Sequence, residues 1–152
     1  MQPIIIEIKP SGLSPFPIQV VGESRYKENL LNICGDYDAE SGFDDDTLAA
    51  ELVMEDDNPI EPGIAIAVRM SPGFGEEDLK IGYLSKQDAT AYRQRVIDLG
   101  YTGQVIGVCG ACIKGGFEKH EEIANFGVRL DFIPGNFEVA NVSAETLAAS
   151  EK

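Results

Sequence analysis

The sequence is poor in the residues that most soluble catalysts and nucleic-acid binders use in number. It has one histidine, three cysteines, and 12 Lys+Arg against 26 Asp+Glu, for a formal charge of −14. So acidic a balance repels nucleic acid and anionic membranes at long range, so any nucleic-acid contact has to be a local pocket rather than a basic field. The odd cysteine count and the lack of an apolar N-terminal run argue for a reduced, cytoplasmic setting over a disulfide framework. No transmembrane stretch is present, so no membrane partner is expected. There is no internal repeat and no second C-x-x-C.

Several partial motifs fail for stated reasons. Cys109-Gly110-Ala111-Cys112 has metal or redox spacing, and Cys34 and His120 would complete four ligands. In a strand, however, a three-residue separation sends the two sulfurs to opposite faces, so a packing role is preferred. Asp36-x-Asp38-x-Glu40 begins like a calcium loop, but Gly42 comes one place late and Thr47 stands where a bidentate Glu is needed. Gly73-Phe74-Gly75 lacks the Lys and Ser/Thr of a phosphate loop. Asp44-Asp45-Asp46 and Glu55-Asp56-Asp57 read as solvated loops, leaving a metal-dependent hydrolase the weakest reading. Lone His120 has no matched partner to orient it. We expect no enzyme and no cofactor.

What is present is a chain of 152 residues, long enough to bury roughly 70% of its unfolded surface. Glu51 to Met70 organises it. A strand breaks at Asp57-Asn58-Pro59, turns at Pro62-Gly63, and resumes with Ile64, Ile66, Val68 and Met70 on one face and Ala65, Ala67 and Arg69 on a wetter one. The first strand of this hairpin begins near Thr47 or Leu48, after an acidic loop from Asp36 to Asp46. Ile4–Ile8 and Ile18–Val21 read as short edge strands around Pro10, Pro15 and Pro17. Arg25–Cys34 reads as a short helix with Ser24 as N-cap and Gly35 closing it.

Leu79–Leu84 is a strand, and Ser85 with Asp88 caps a helix whose stripe is Ala89, Tyr92, Val96 and Leu99. Arg93 and Arg95 fall off that stripe, toward solvent. Gln104–Lys114 is a buried strand in which Gly107 and Gly110 mark a bulge or close backbone approach. Glu118–Ala124 fits one helical turn, and Phe126, Val128, Leu130 and Phe132 alternate as a strand. Ser143 opens a terminal helix. The sum is an α+β chain, mainly β, with two helices and a curled antiparallel sheet.

The order of short motifs carries more than any one of them. Val20-Val21-Gly22-Glu23-Ser24-x-Tyr26, Asp57-Asn58-Pro59-x-Glu61-Pro62, Ala65-Ile66-Ala67-Val68, Ile81-Gly82-Tyr83-Leu84 and Phe126-Gly127-Val128-x-Leu130 follow one another. Together they resemble the HIRAN domain family over a motif core of about residues 18–132. The resemblance implies one domain over 1–135, a small SH3-like or OB-like antiparallel β-barrel with two helices on its side, and a C-terminal tail over 136–152. It also implies capture of the 3′-hydroxyl end of single-stranded DNA in repair or processing, alone or beside a helicase, nuclease or other protein partner.

Carried onto this chain, Glu61 would receive the terminal hydroxyl with Asn58 in the same turn. Lys86 and Arg25 would meet phosphate, Tyr83 would supply a polar ring, Tyr26 would replace a missing one, and Phe126 would form an aromatic wall. A carboxylate accepts from a free hydroxyl and repels an internal phosphate, which selects ends. The chain departs from the family's DNA-binding pattern at Ser24 and Arg25, at Ile60 where an aromatic follows Asn-Pro, and at Ile64, an apparent insertion. Those departures support the alternative, a protein-interaction or regulatory module that has lost the DNA pocket.

Overall fold

The computed structural model describes residues 3–73 and 76–144. Phe74 and Gly75, and the helix expected beyond Ala144, lie outside the described residues. The strands are β1 (Ile4–Ile8), β2 (Ile18–Gln19), β3 (Phe43–Met54), β4 (Ile66–Met70), β5 (Leu79–Tyr83), β6 (Val105–Gly115), β7 (Glu118–Lys119), β8 (Glu122–Ile123), β9 (Phe126–Leu130) and β10 (Val139–Ala144). A 3-10 turn (Glu23–Tyr26) leads into α1 (Lys27–Cys34), and α2 (Lys86–Asp98) follows β5. The chain is mainly β, and its curled sheet is barrel-like. No helix among the described residues is long and apolar enough to cross a membrane.

The hairpin holds in register, with Glu51 opposite Arg69 and Met54 opposite Ile66. β6 runs down the middle. One of its edges pairs antiparallel with β3, and the other pairs first with β1 and then with β9. β9 pairs with β2, and two hydrogen bonds between Val21 and Tyr83, of 2.8 and 2.9 Å, join the end of β2 to β5. The backbone circuit β2–β9–β6–β3–β4–β5 thereby returns on itself. Pairing its two ends satisfies N–H and C=O groups that an open sheet would expose there, while β10 lies at the edge of the sheet beyond β1.

The inner face is lined by Ile18, Val20, Leu52, Ile66, Val68, Ile81, Ala111, Ile113, Val128 and Leu130, each at most 2% exposed. At roughly 1.5–3 kcal/mol per fully buried aliphatic side chain, this lining is the main stabilising term of the fold. α2 covers one end of the sheet with Ala89, Tyr92 and Val96. Tyr92 stacks on Phe137 at 5.6 Å and meets Phe132 edge-on at 5.9 Å. Gly107 lets α2 approach, because a Cβ there would stand 2.5 Å from the Tyr92 hydroxyl.

Several expectations are corrected. β1 is interior rather than an edge strand, antiparallel to β10 and parallel to β6, a parallel pairing that lies outside the antiparallel circuit β2–β9–β6–β3–β4–β5. A lone run of isoleucines does not reveal its partners. The domain passes residue 135: Phe137 is buried and Ser143 lies in β10, not at a helix start. β3 begins at Phe43, because a bulge between Asp45 and Leu48 lets the acidic run pair with β6. Ala65 and Ala67 are buried, so the second hairpin face is covered rather than wet.

Glu118–Ile123 is a two-residue hairpin with His120 and Glu121 at φ 55 and 66, the conformation such tight turns need, rather than a helical turn. The α1 N-cap is Tyr26, without a side-chain cap bond, where Ser24 was expected. Ser85 does cap α2, accepting from the Asp88 N–H at 3.1 Å, and Gly35 closes α1.

Candidate functional site

The hairpin turn is built from its own side chains. Asn58 Oδ1 accepts from the Ile60 and Glu61 N–H groups, both at 2.9 Å, and the ring of Pro59 between them restricts φ within the bend. The Glu61 carbonyl accepts from Ile64 and Ala65, and Gly63, at φ 74, donates to the Asp56 carbonyl at 2.9 Å. From across the fold, Arg93 of α2 clamps both ends of the turn. It donates to the Ile64 carbonyl at 2.8 Å, the Ala65 carbonyl at 3.0 Å and Asp56 Oδ1 at 2.9 Å. Arg95 likewise turns inward, donating to the Phe137 carbonyl through two nitrogens. Neither arginine faces solvent as expected, because backbone carbonyls within reach are stronger partners than their place off the apolar stripe implied.

Beneath the turn lies a cavity of about 450 Å³. The 3-10 turn brings Arg25 and Tyr26 to it, the hairpin turn brings Asn58, Ile60 and Glu61, and β5 with the start of α2 brings Lys80, Tyr83 and Lys86. Six of the seven residues singled out from sequence therefore line one cavity. Glu61 Oε2 is buried and has no hydrogen-bond partner among the described residues. Arg25 and Lys86 are exposed at the rim. Ile60, 78% exposed, forms an apolar lip.

Phe126 is the exception. It is 3% exposed on the inner face, in register with Val128 and Leu130, and meets Tyr37 edge-on at 6.0 Å. It does not wall this cavity.

Glu55 joins the wall together. Its Oε2 lies 2.5 Å from Lys80 Nζ, while its Oε1 accepts from the Tyr83 hydroxyl at 2.6 Å and from Asn58 Nδ2 at 3.2 Å. Lys80 also donates to the Tyr83 oxygen at 2.8 Å. Burial alone would raise the Glu55 carboxyl, but the bonds from Lys80, Tyr83 and Asn58 outweigh it and hold it below its ordinary value. Burial would lower Lys80, and its bonds to Glu55 and Tyr83 raise it instead. Burial and then Glu55 push the Tyr83 phenol up. Tyr83 is therefore a fixed, neutral donor.

Glu55 and Lys80 escaped the sequence reading. Glu55 sits in an acidic run, and Lys80 and Tyr83, three apart in a strand, should face opposite ways. A bulge at Ile81, where Arg69 pairs with Lys80 but Val68 with Gly82, restores them to one face. Gly82 was the available signal. A Cβ there would stand 2.5 Å from Val20 Cγ1 and 2.7 Å from the Val21 carbonyl.

Comparison with protein-family models, curated proteins and solved structures gives no match for this chain.

The remaining candidates stand apart from the cavity. Cys109 is buried and Cys112 half-buried, on opposite faces of β6. Among the described residues no three His, Cys, Asp or Glu side chains gather as a metal site. Burial raises the thiol pKa of Cys34 to about 11, with Asp45 adding to it, and pushes those of Cys109 and Cys112 up as well.

Proposed function

We propose that this chain is a HIRAN-like domain that receives the 3′-hydroxyl end of single-stranded DNA under the Asn58–Glu61 turn, without catalysing a reaction on it. The observation that carries this reading is the buried, unpartnered Glu61 Oε2 at a cavity rimmed by Arg25 and Lys86. A buried acceptor lacking a donor is unfavourable by about 1–3 kcal/mol, and a terminal hydroxyl relieves it while a terminal phosphate is repelled. Arg25 and Lys86 offer cations to the preceding phosphates, and Tyr83, held by Glu55, presents a ring of fixed orientation. Asn58 keeps the turn in shape and Tyr26 lines the same cavity. The cations are local, so binding is a pocket event that the overall −14 charge weakens at long range.

The test is fluorescence anisotropy at low salt with oligonucleotides ending in 3′-hydroxyl or 3′-phosphate. The hydroxyl form is expected to bind more tightly, with the preference lost in Glu61→Ala. Equal binding of both forms, or none, refutes the reading.

A second reading is favoured by the exposed Ile60 lip and the acidic surface: a protein-interaction module meeting a basic partner, such as a helicase or nuclease, in the cytoplasm. A pull-down from nuclease-treated extract separates the two, since a protein partner persists and a DNA-bridged one is lost.

A further inference from the structure

A second cleft of about 500 Å³ opens on the outer face of the sheet, and the fold connects it to the first. Along β2 the exposed residues are Gln19 and Val21, with buried Val20 between them. Gln19 lines the second cleft and Val21 the first. The pairings set a row across the outer face. Asp44 lies opposite Lys114, Lys114 opposite Gly127, and Val21 opposite Tyr83. Continuing the β2–β9 register from Gln19 and Arg129 by two residues sets Val21 opposite Gly127.

Side chains in such a row share one face and stand about 4.8 Å apart per strand, so Tyr83 and Lys114 are about 14 Å apart. Between them Gly127 carries no side chain, and a Cβ there would meet only the Lys114 carbonyl, at 3.7 Å. The row joins one cleft to the other across exposed Val21 and the bare backbone of Gly127.

The far cleft has the groups a single strand uses. Phe117 is 46% exposed, and its ring is seated against Gly42, where a Cβ would stand 2.6 Å from it. The Arg129 Nε is tied to the Phe16 carbonyl at 2.7 Å, which anchors the guanidinium while its two terminal nitrogens make no hydrogen bond or ion pair among the described residues. Lys114 is 74% exposed, and its only ion pair there, with Asp44, is long at 3.9 Å. Cations beside an exposed aromatic ring are the elements of sequence-tolerant single-strand binding. Asp44 and Asp46 bound the cleft on its β3 side and limit the track to a few nucleotides.

We infer that a single strand whose end occupies the first cavity continues over Val21 and Gly127 to stack a base on Phe117 and place phosphates at Lys114 and Arg129. The inference rests on the end-binding reading for its direction. It supplies, one cleft away, the stacking surface that Ile60 does not offer at the turn.

The experiment compares 5′-labelled dimer and octamer oligo-dT, each with 3′-hydroxyl or 3′-phosphate, on the whole chain. The octamer is expected to bind more tightly than the dimer. Phe117→Ala should weaken the octamer about tenfold, within the range of one lost stacked base. Lys114→Glu should lower the salt slope by about 0.7 per phosphate lost. Gly127→Glu, which has room for its side chain, should also weaken the octamer, and all three variants should leave the dimer unchanged. If dimer and octamer bind alike, or the octamer ignores all three substitutions, the track is refuted and the end pocket stands. If the octamer depends on Phe117 but neither oligonucleotide distinguishes hydroxyl from phosphate, the end pocket is refuted and the track stands. Absence of any binding removes both.

Discussion

Removing Glu55 should reveal how much of the candidate site is held by charge. The Glu55 and Lys80 side chains are 24% and 25% exposed, so water screens them incompletely. An exposed pair is worth about 0.2–1 kcal/mol, and breaking a fully buried one costs about 3–5 kcal/mol. With bonds from Tyr83 and Asn58 lost as well, Glu55→Ala should cost about 2–3 kcal/mol, between those limits. For a domain of this size that lowers the melting temperature by about 4–12 °C.

The sign with pH follows from the depressed carboxyl. Its contribution is fully present above the ordinary value of 4.5 and is lost as the pH falls through the lower folded value. Lys80 is raised, so its share persists below its ordinary value of 10.5 and is lost as the pH rises through the higher folded one. Urea unfolding followed by far-UV circular dichroism, on wild type, Glu55→Ala, Lys80→Met and the double variant, measures both effects. The double-variant cycle should return a coupling of about 1–2 kcal/mol at neutral pH. A gap between wild type and Glu55→Ala that does not shrink in acid, or strictly additive variants, would refute the reasoning.

Three other outcomes are expected. Gly107→Ala should cost about 1–3 kcal/mol by crowding the Tyr92 hydroxyl, Ile8 and Leu52, read as a lower urea midpoint at unchanged slope. Arg93→Ala should speed amide hydrogen exchange across residues 55–65 while leaving β6 protected, and Arg93→Lys should recover only part, since one ammonium cannot replace a three-way guanidinium clamp. In iodoacetamide labelling at neutral pH read by mass spectrometry, half-buried Cys112 should react slowly, and buried Cys34 and Cys109 only on unfolding. Fast labelling of Cys109 in the folded chain would contradict its place in the core.

Much of the fold is legible wherever a local rule acts alone. Ser85 and Asp88 mark the start of α2 because capping is satisfied within one turn of chain. Phe126, Val128 and Leu130 alternate because β9 has one wet face and one dry face. The turn at Asn58 is written into Asn-Pro followed by a glycine, since its hydrogen bonds are made by its own atoms. Convergence of Arg25, Tyr26, Asn58, Glu61, Tyr83 and Lys86 was expected from motif order rather than from any spacing. The misplacement of Phe126 has the opposite origin, because its own periodicity already set it on the inner face.

The amino-acid sequence by itself determined most of the strands, the capped helix, the turn and the mainly β class, because each depends on residues within a few positions of one another. Only the tertiary structure decided which edges meet. The return of β2 onto β5 through Val21 and Tyr83, the parallel pairing of β1 with β6, and the inward reach of Arg93 and Arg95 all join residues distant in the chain. The bulge at Ile81 belongs with them. It puts Lys80 and Tyr83 on one face against strand periodicity, and so assembles around Glu55 a network that no local rule specifies.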